Sequence, residues 1–185
     1  SIPGWALGGV LLVLFGGGSF WDIFPLGGFH SPTEIWGNLS FFEKVIDQAH
    51  HAILPIIAWS ITTFATMTIL MKNSLLENLS QDYIRTAFAK GISEKRVVWL
   101  HAFRNSIIPI AAQIGYVIAA IIANSYLIER VFNINGFGKM SFQAIMDRDY
   151  PIIMGFLIIV VLIRLIANII SDLAIASVDP RIRFK

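Results

Sequence analysis

Long stretches without a charged side chain constrain the fold of this chain more than any other feature. Residues 53–72 form the clearest of them, and their first 19 residues carry no charge. As an α-helix those 19 residues extend about 28 Å, close to the ~30 Å hydrocarbon thickness of a bilayer. Similar runs occupy residues 106–128 and 151–178, and a shorter one occupies residues 2–17. Since 56% of the 185 residues are hydrophobic, we predict an all-α, polytopic membrane protein.

The first apolar run, residues 2–17, is shorter than the roughly 20 residues that cross a bilayer. It is either a span whose beginning lies upstream or a re-entrant or interfacial segment. The chain begins at Ser1 without a methionine and enters the apolar run without the charged start of a signal peptide. We therefore expect an N-terminally truncated chain.

An amphipathic helix is predicted just before the second span. Apolar side chains recur there at helical spacing, at Phe41, Phe42, Val45, Ile46, Ala49 and Ile53. This pattern favours a helix that lies at the membrane interface and runs into the span. We expect Pro55 in the first turn of the spanning helix, where a missing N–H does little harm.

Lysine and arginine side chains are distributed unevenly between the two predicted sides of the membrane. The central loop and the C-terminal tail carry nine of them: Lys72, Arg85, Lys90, Lys95, Arg96, Arg104, Arg181, Arg183 and Lys185. The opposite loops carry four: Lys44, Arg130, Lys139 and Arg148. Because positive charge accumulates on the cytoplasmic side, we predict that the central loop and the C-terminus are cytoplasmic.

The central loop, residues 80–105, is the longest polar interval between two strongly apolar segments. Residues 82–90 are good helix formers and end at Gly91, the residue type that closes helices in a left-handed conformation. Ser93 is placed to N-cap a second short helix, with Glu94 in its first turn. A loop with that much order at a membrane surface is a candidate docking site for a protein partner. The small side chain of Ala87 suits a helix packed closely against such a partner.

Three polar residues share one face of the last span. Arg164, Asn168 and Asp172 are spaced four apart, and Arg164 lies near the middle of the span. A charge at that depth must face protein or water. It either lines a translocation path or forms a structural brace, within the Arg–Asn–Asp set or with a neighbouring helix.

Recognisable catalytic motifs are missing from the sequence. It has no phosphate-binding glycine loop, nucleophile elbow or HExxH motif. The adjacent His50 and His51 point about 100° apart on a helix and make a poor chelate, so no metal site is expected. A net charge of +2 gives nucleic-acid binding no support. An ion-coupled secondary transporter or channel remains an alternative, although Arg164 and Asp172 are its only candidate relay; a membrane-embedded enzyme has less support.

Several motifs in order resemble the permease subunit of an ATP-binding-cassette importer, and within that class the oligopeptide, dipeptide and nickel subfamily. The central loop carries Asp82-Tyr83-Ile84-Arg85-Thr86-Ala87-Phe88-Ala89-Lys90-Gly91, followed by His101-Ala102-Phe103-Arg104-Asn105 and Pro109. The second outside loop carries Glu129-Arg130-Val131-Phe132-Asn133-Ile134-Asn135-Gly136-Phe137-Gly138. Arg85-Thr86-Ala87 stands where the general importer signature has Glu-Ala-Ala, a change that favours the peptide subfamily. Arg164 is not recognised as a feature of this family.

This resemblance implies a type I importer permease bundle in a bacterial inner membrane. The partners that it implies are a second permease subunit, ATP-binding subunits and an extracytoplasmic solute-binding protein. ATP would be bound by the partner subunits, so this chain would need no cofactor and would not itself be an enzyme. The residues implied to couple to the ATPase are Tyr83, Arg85, Thr86, Ala87, Ala89, Lys90, Gly91, Arg104 and Asn105. The spans do not distinguish peptides from other small solutes.

Overall fold

The computed structural model describes residues 2–18, 20–123 and 125–178, and the named elements within that part of the chain are all helices. The predicted all-α membrane class is confirmed. The basic tail, residues 181–185, lies outside the described residues. The chain forms two compact units, Ser1–Thr63 with Ala120–Ile158, and Phe64–Ala119 with Ile159–Lys185.

The helices are numbered in chain order. They are α1 (Gly4–Phe15), α2 (Thr33–Trp36), α3 (Phe41–Leu79), α4 (Asp82–Ala89), α5 (Glu94–Arg96), a π-helix (Val97–Ala102), α6 (Phe103–Ser106), α7 (Ile108–Ala123), α8 (Tyr126–Val131), α9 (Phe137–Met146) and α10 (Tyr150–Val178).

Two of the described helices, α3 and α10, are long and apolar enough to cross a membrane. A third span is formed if the bent pair Glu94–Ser106 and Ile108–Ile121 counts as one. The 39 residues of α3 extend about 58 Å, roughly twice the hydrocarbon thickness. Its ends, which carry Glu43 and Lys44 on one side and Lys72 and Glu77 on the other, therefore project beyond the hydrocarbon.

The predicted interfacial helix and the second span are one continuous helix, α3. The expectation that Pro55 lies in a first turn is wrong, because α3 already begins at Phe41 and Pro55 lies in its interior. Proline there leaves the carbonyl of His51, four residues earlier, without its helical N–H partner. Packing offsets this cost, since the neighbouring Leu54 is 3% exposed within an apolar cluster.

The second short helix of the central loop continues towards the third span instead of ending as a separate loop helix. The segment Glu94–Ser106 includes the π-helical turn, and it meets Ile108–Ile121 at a bend of 41°. Pro109 lies just past the bend, where its ring removes an N–H and crowds the carbonyl four residues before it. The proline therefore explains a bend between two helical segments at this position.

The first unit has its apolar core where α1 and α8 pack against α3. Leu54, Ala58 and Phe132 are its buried members. A Cβ at Gly8 would lie 2.9 Å from the Phe132 ring, so only glycine allows α1 to approach this closely. Small residues at such crossings are typical of membrane helices.

The segment before α3 is tied to that helix by Asp47. The Asp47 carboxylate accepts hydrogen bonds from the Ser31 N–H at 2.8 Å and the Ser31 hydroxyl at 2.5 Å. The two adjacent histidines bond to separate carbonyls, with a ring nitrogen of His50 3.0 Å from Ile23 O and Nδ1 of His51 2.9 Å from Asp47 O. His50 therefore helps to hold the preceding loop on the helix, whereas the bond of His51 lies within α3 itself.

Glu129 is a buried carboxylate that closes the N-terminus of α9. It is 8% exposed, and its two oxygens accept the N–H groups of Gly138 at 3.0 Å and Lys139 at 2.6 Å. Both N–H groups belong to the first turn of α9, where a negative charge also meets the positive end of the helix dipole. A Cβ at Gly136 would lie 2.5 Å from this carboxylate, so the glycine makes room for it.

We expect Glu129→Gln to lower the free energy of unfolding by about 1–3 kcal/mol. The amide keeps the volume but turns an NH2 group towards a backbone donor, which leaves a buried N–H unsatisfied. Thermal unfolding of the detergent-purified protein measures the loss. The control is Glu34→Gln, at an exposed carboxylate on the same predicted side; equal melting temperatures for the two variants would contradict the assignment.

The second unit contains a close crossing between α7 and α10. The Ser171 hydroxyl donates to the carbonyl oxygens of Ala111 at 3.1 Å and Ala112 at 2.7 Å. A Cβ at Gly115 would collide with the backbone of Ala167. A small-residue face and a hydroxyl-to-carbonyl bond are the contacts that hold helices together in lipid, where apolar burial alone gives no preference.

Candidate functional site

The central loop folds around a small apolar core of its own. Ile84 and Ala87 of α4 pack against Val97 and Ala102 of the π-helix, and all four are buried. Leu75, Leu79 and Ile92 pack around this cluster. An eight-residue helix is marginal in water by itself, so this core explains why α4 is formed.

Gly91 ends α4 in the conformation that the sequence predicts. Its φ is +74°, in the left-handed region that favours glycine. The Gly91 N–H donates to Phe88 O at 2.9 Å, and the Ile92 N–H donates to Ala87 O at 3.3 Å. This is the bonding pattern of a Schellman motif, and Ile92 adds the apolar contact that accompanies it.

Ser93 occupies the N-cap position of α5, as expected, with an extended backbone. Its side chain makes no capping hydrogen bond. The connection between the two short helices is therefore set by the Gly91 backbone and by the apolar contact of Ile92.

The outward face of α4 carries most of the predicted coupling residues. Its exposed members are Tyr83, Arg85, Thr86, Phe88, Ala89 and Lys90. Arg85 lies 3.6 Å from Asp82, and both side chains are largely exposed, so this pair contributes about 0–1 kcal/mol and leaves the guanidinium accessible. Arg104, on α6, is exposed as well. This face offers cations and an apolar Phe88 ring, 46% exposed, to another surface.

The expected role of Ala87 needs correction. It does not face outward: it is 7% exposed and lies in the core of the loop itself. Its small side chain allows α4 to approach the π-helix closely. The small residue on the outward face is Ala89.

Tyr83 and Asn105, 22 residues apart, meet directly. The Tyr83 hydroxyl donates to Asn78 Oδ1 at 2.8 Å and accepts from Asn105 Nδ2 at 3.2 Å. Asn78 was missed by sequence reasoning, and its position next to the last residue of α3 is the only signal that could have indicated it. Thr86, by contrast, bonds within its own helix, to Asp82 O at 2.9 Å.

The polar set of the last span lies along an exposed side of α10. Arg164, Asn168 and Asp172 are exposed, whereas Ala167 and Ser171 on another face are buried. Within the described residues no ion pair joins Arg164 to Asp172 and no hydrogen bond involves either side chain. The internal Arg–Asn–Asp brace is therefore not formed by the described part of the chain.

Long apolar helices and an ordered polar loop between them define a polytopic helical membrane protein. Residues 1–184 match the family described as the binding-protein-dependent transport system inner membrane component. The chain belongs to this family, and the resemblance drawn from its motifs is confirmed.

Curated relatives match the whole chain. It is 42% identical over 186 residues to the peptidoglycan transport system permease protein YejB of Agrobacterium fabrum, and 40% identical over 186 residues to the inner membrane ABC transporter permease protein YejB of Escherichia coli O157:H7. It is 34% identical over 184 residues to the oligopeptide transport system permease protein AppB of Bacillus subtilis. In each case 100% of this chain is covered, with 50%, 50% and 55% of the relative. The chain thus spans about half the length of the curated relatives that it matches.

Proposed function

We propose that this chain is part of the permease subunit of an ATP-driven importer for peptides or similar small solutes. The names of the relatives support the permease role, since they include oligopeptide and dipeptide transport permeases. Membership in a binding-protein-dependent family favours this function over a secondary transporter or channel. The partners are a second permease subunit, ATP-binding subunits and an extracytoplasmic solute-binding protein, in a bacterial inner membrane. ATP binds to the separate subunits, and this chain uses no cofactor.

The observation that carries the proposal is the self-supported central loop. Because α4 has its own apolar core, its outward face is not needed for folding and is available to a partner. A short rigid helix held in a groove of an ATPase moves when that groove moves. The flanking helices α3 and α7 then move with it, and rocking of helix bundles is a known route to alternating access.

Disulfide cross-linking in the complete transporter tests the docking surface. Arg85→Cys and Lys90→Cys, both at exposed positions, should each form a disulfide with a single cysteine placed in the ATPase subunit. Thr33→Cys, exposed in the outside segment, is the matched control and should not. Absence of a cross-link at both loop positions, in an assembled transporter, would overturn the proposed docking.

The orientation follows from the nine-to-four lysine and arginine asymmetry. In a cysteine-free background, a membrane-impermeant maleimide should label Thr33→Cys in intact cells. Ser93→Cys, exposed in the central loop, should react only after the membrane is opened. Labelling of Ser93→Cys in sealed cells would reverse the proposed topology and its cytoplasmic C-terminus.

Arg164 lacks a partner within the described residues, so we propose that it faces a neighbouring helix outside them or the translocation path. Arg164→Leu should reduce or redirect transport, because an intramembrane charge is retained only where protein or water receives it. Arg164→Lys keeps the charge and is the matched control. A lower melting temperature for the leucine variant indicates a structural brace, whereas an unchanged temperature with altered solute preference indicates the path. Normal transport of every solute at an unchanged temperature would contradict both roles.

A further inference from the structure

The Tyr83 hydroxyl is the meeting point of three elements. It donates to Asn78 at the end of α3 and accepts from Asn105 on α6, while its ring belongs to α4. The phenol thereby uses its donor and one acceptor position at once.

A second layer of hydrogen bonds lies behind this hydroxyl. The Asn78 amide donates to Ser74 O at 2.9 Å. The Ser106 hydroxyl, next to Asn105, is fully buried and lies 3.3 Å from the same carbonyl and 2.7 Å from Ala102 O. The ends of α3 and α6 are therefore already joined to each other, and Tyr83 attaches α4 to this joined pair.

The connections of α4 would otherwise allow it to turn. Ser80 and Gln81 precede it, and Lys90 to Ser93, including Gly91 with its φ of +74°, follow it. The apolar core of the loop holds α4 in place, but apolar contacts are non-directional. Hydrogen bonds have preferred angles. The two hydrogen bonds of the Tyr83 hydroxyl therefore define the orientation of α4 against both neighbouring helices.

We infer that Tyr83 is a positioning residue for coupling, and that the Asn78–Tyr83–Asn105 clasp makes α4 move as one body with the ends of α3 and α6. The inference rests on the proposed docking of the loop to an ATPase. It assigns to Tyr83 a role separate from partner contact: its hydroxyl keeps partner motion from being absorbed by rotation of α4. Asn78 becomes part of the coupling apparatus, although it precedes the predicted coupling residues.

The test uses Tyr83→Phe in the complete transporter, since this change removes both hydrogen bonds and keeps the ring. The control is Tyr150→Phe, at an exposed tyrosine on the opposite predicted side. Three quantities are measured: hydrogen exchange of the α4 amides, cross-linking of Lys90→Cys to the ATPase, and solute moved per ATP hydrolysed. We expect roughly tenfold faster exchange in α4 from the loss of two hydrogen bonds, retained cross-linking and a lower ratio of solute to ATP.

Asn78→Ala completes a double-mutant cycle. If the clasp acts as a unit, Tyr83→Phe and Asn78→Ala together should lower the ratio by little more than either change alone. An unchanged ratio in Tyr83→Phe with cross-linking intact overturns the clasp and leaves the docking proposal standing, whether or not exchange becomes faster. If Lys90→Cys does not cross-link to the ATPase in the otherwise native transporter, the docking proposal is overturned. The proposed coupling through the clasp is then overturned as well, because it rests on that docking.

Discussion

If the proposed docking is right, Gly91→Val is expected to leave the permease inserted but uncoupled from the ATPase subunit. With φ at +74°, valine is forced into a left-handed backbone at a cost of roughly 1–2 kcal/mol. Apart from the adjoining residues, no atom lies within 4 Å of a Cβ placed there, so the cost comes from the backbone alone and is too small to unfold the spans. The valine can leave the left-handed conformation only if the Schellman turn opens. Opening the turn changes the angle between α4 and the following helix.

Co-purification of the ATPase and solute-stimulated hydrolysis measure this effect. Gly155→Val is the matched control, because a Cβ there also meets nothing within 4 Å and its φ is not in the left-handed region. Gly91→Asn should retain most coupling, since asparagine tolerates the left-handed conformation. Normal ATPase binding and stimulation in Gly91→Val would remove the main mechanistic support for the importer proposal.

Ala87→Asp is expected to unfold the central loop. The new carboxylate would lie among Ile84, Val97 and Ala102, and a buried charge without a partner costs several kcal/mol, about 3 or more here. An eight-residue helix does not survive the loss of the apolar core that supports it. Limited proteolysis and hydrogen exchange of residues 82–89 should show the unfolded loop, and ATPase co-purification should fail.

Ala89→Asp provides the contrast, because it introduces the same side chain two residues away on the exposed face. It should leave the protection of the loop amides from hydrogen exchange near the wild-type level, within about 0.5 kcal/mol. Its effect should appear only when the ATPase is present, as weaker binding. If the two variants had equal protection in the isolated permease, the inward position of Ala87 would be wrong.

The helical membrane class, the left-handed Gly91 and the family were all predictable from the sequence. Each depends on local information: a run of apolar residues about as long as a bilayer is thick, a glycine after a run of helix formers, or an ordered set of motifs. The length of α3 was harder to predict from the sequence. An amphipathic segment and an apolar span follow each other there, and no residue pattern between them indicates where one helix would end. Pro55 does not end this helix, since packing of the adjacent Leu54 offsets the missing bond.

The inward face of α4 was decided only by the tertiary structure. Tyr83, Ile84, Ala87 and Phe88 are all apolar or aromatic and cover more than one side of a short helix. The smallest of them is buried, and Phe88 stays 46% exposed, because the π-helix leaves room for an alanine at the point of closest approach. Hydrophobicity alone would have placed Phe88 inward beside Ile84 and left Ala87 exposed.

Hydrogen bonds between polar side chains far apart in the chain likewise could not be predicted from the sequence. Asn105 meets Tyr83 across 22 residues, and Glu129 caps a helix that begins eight residues later. By itself the sequence determined which segments are apolar enough to cross a membrane and where the loop backbone turns, because hydropathy and left-handed φ are properties of short segments. Which side chains face a partner, and which hold the loop together, was decided by how the chain folds back on itself, since a hydrogen bond forms only between groups that the fold brings within about 3 Å.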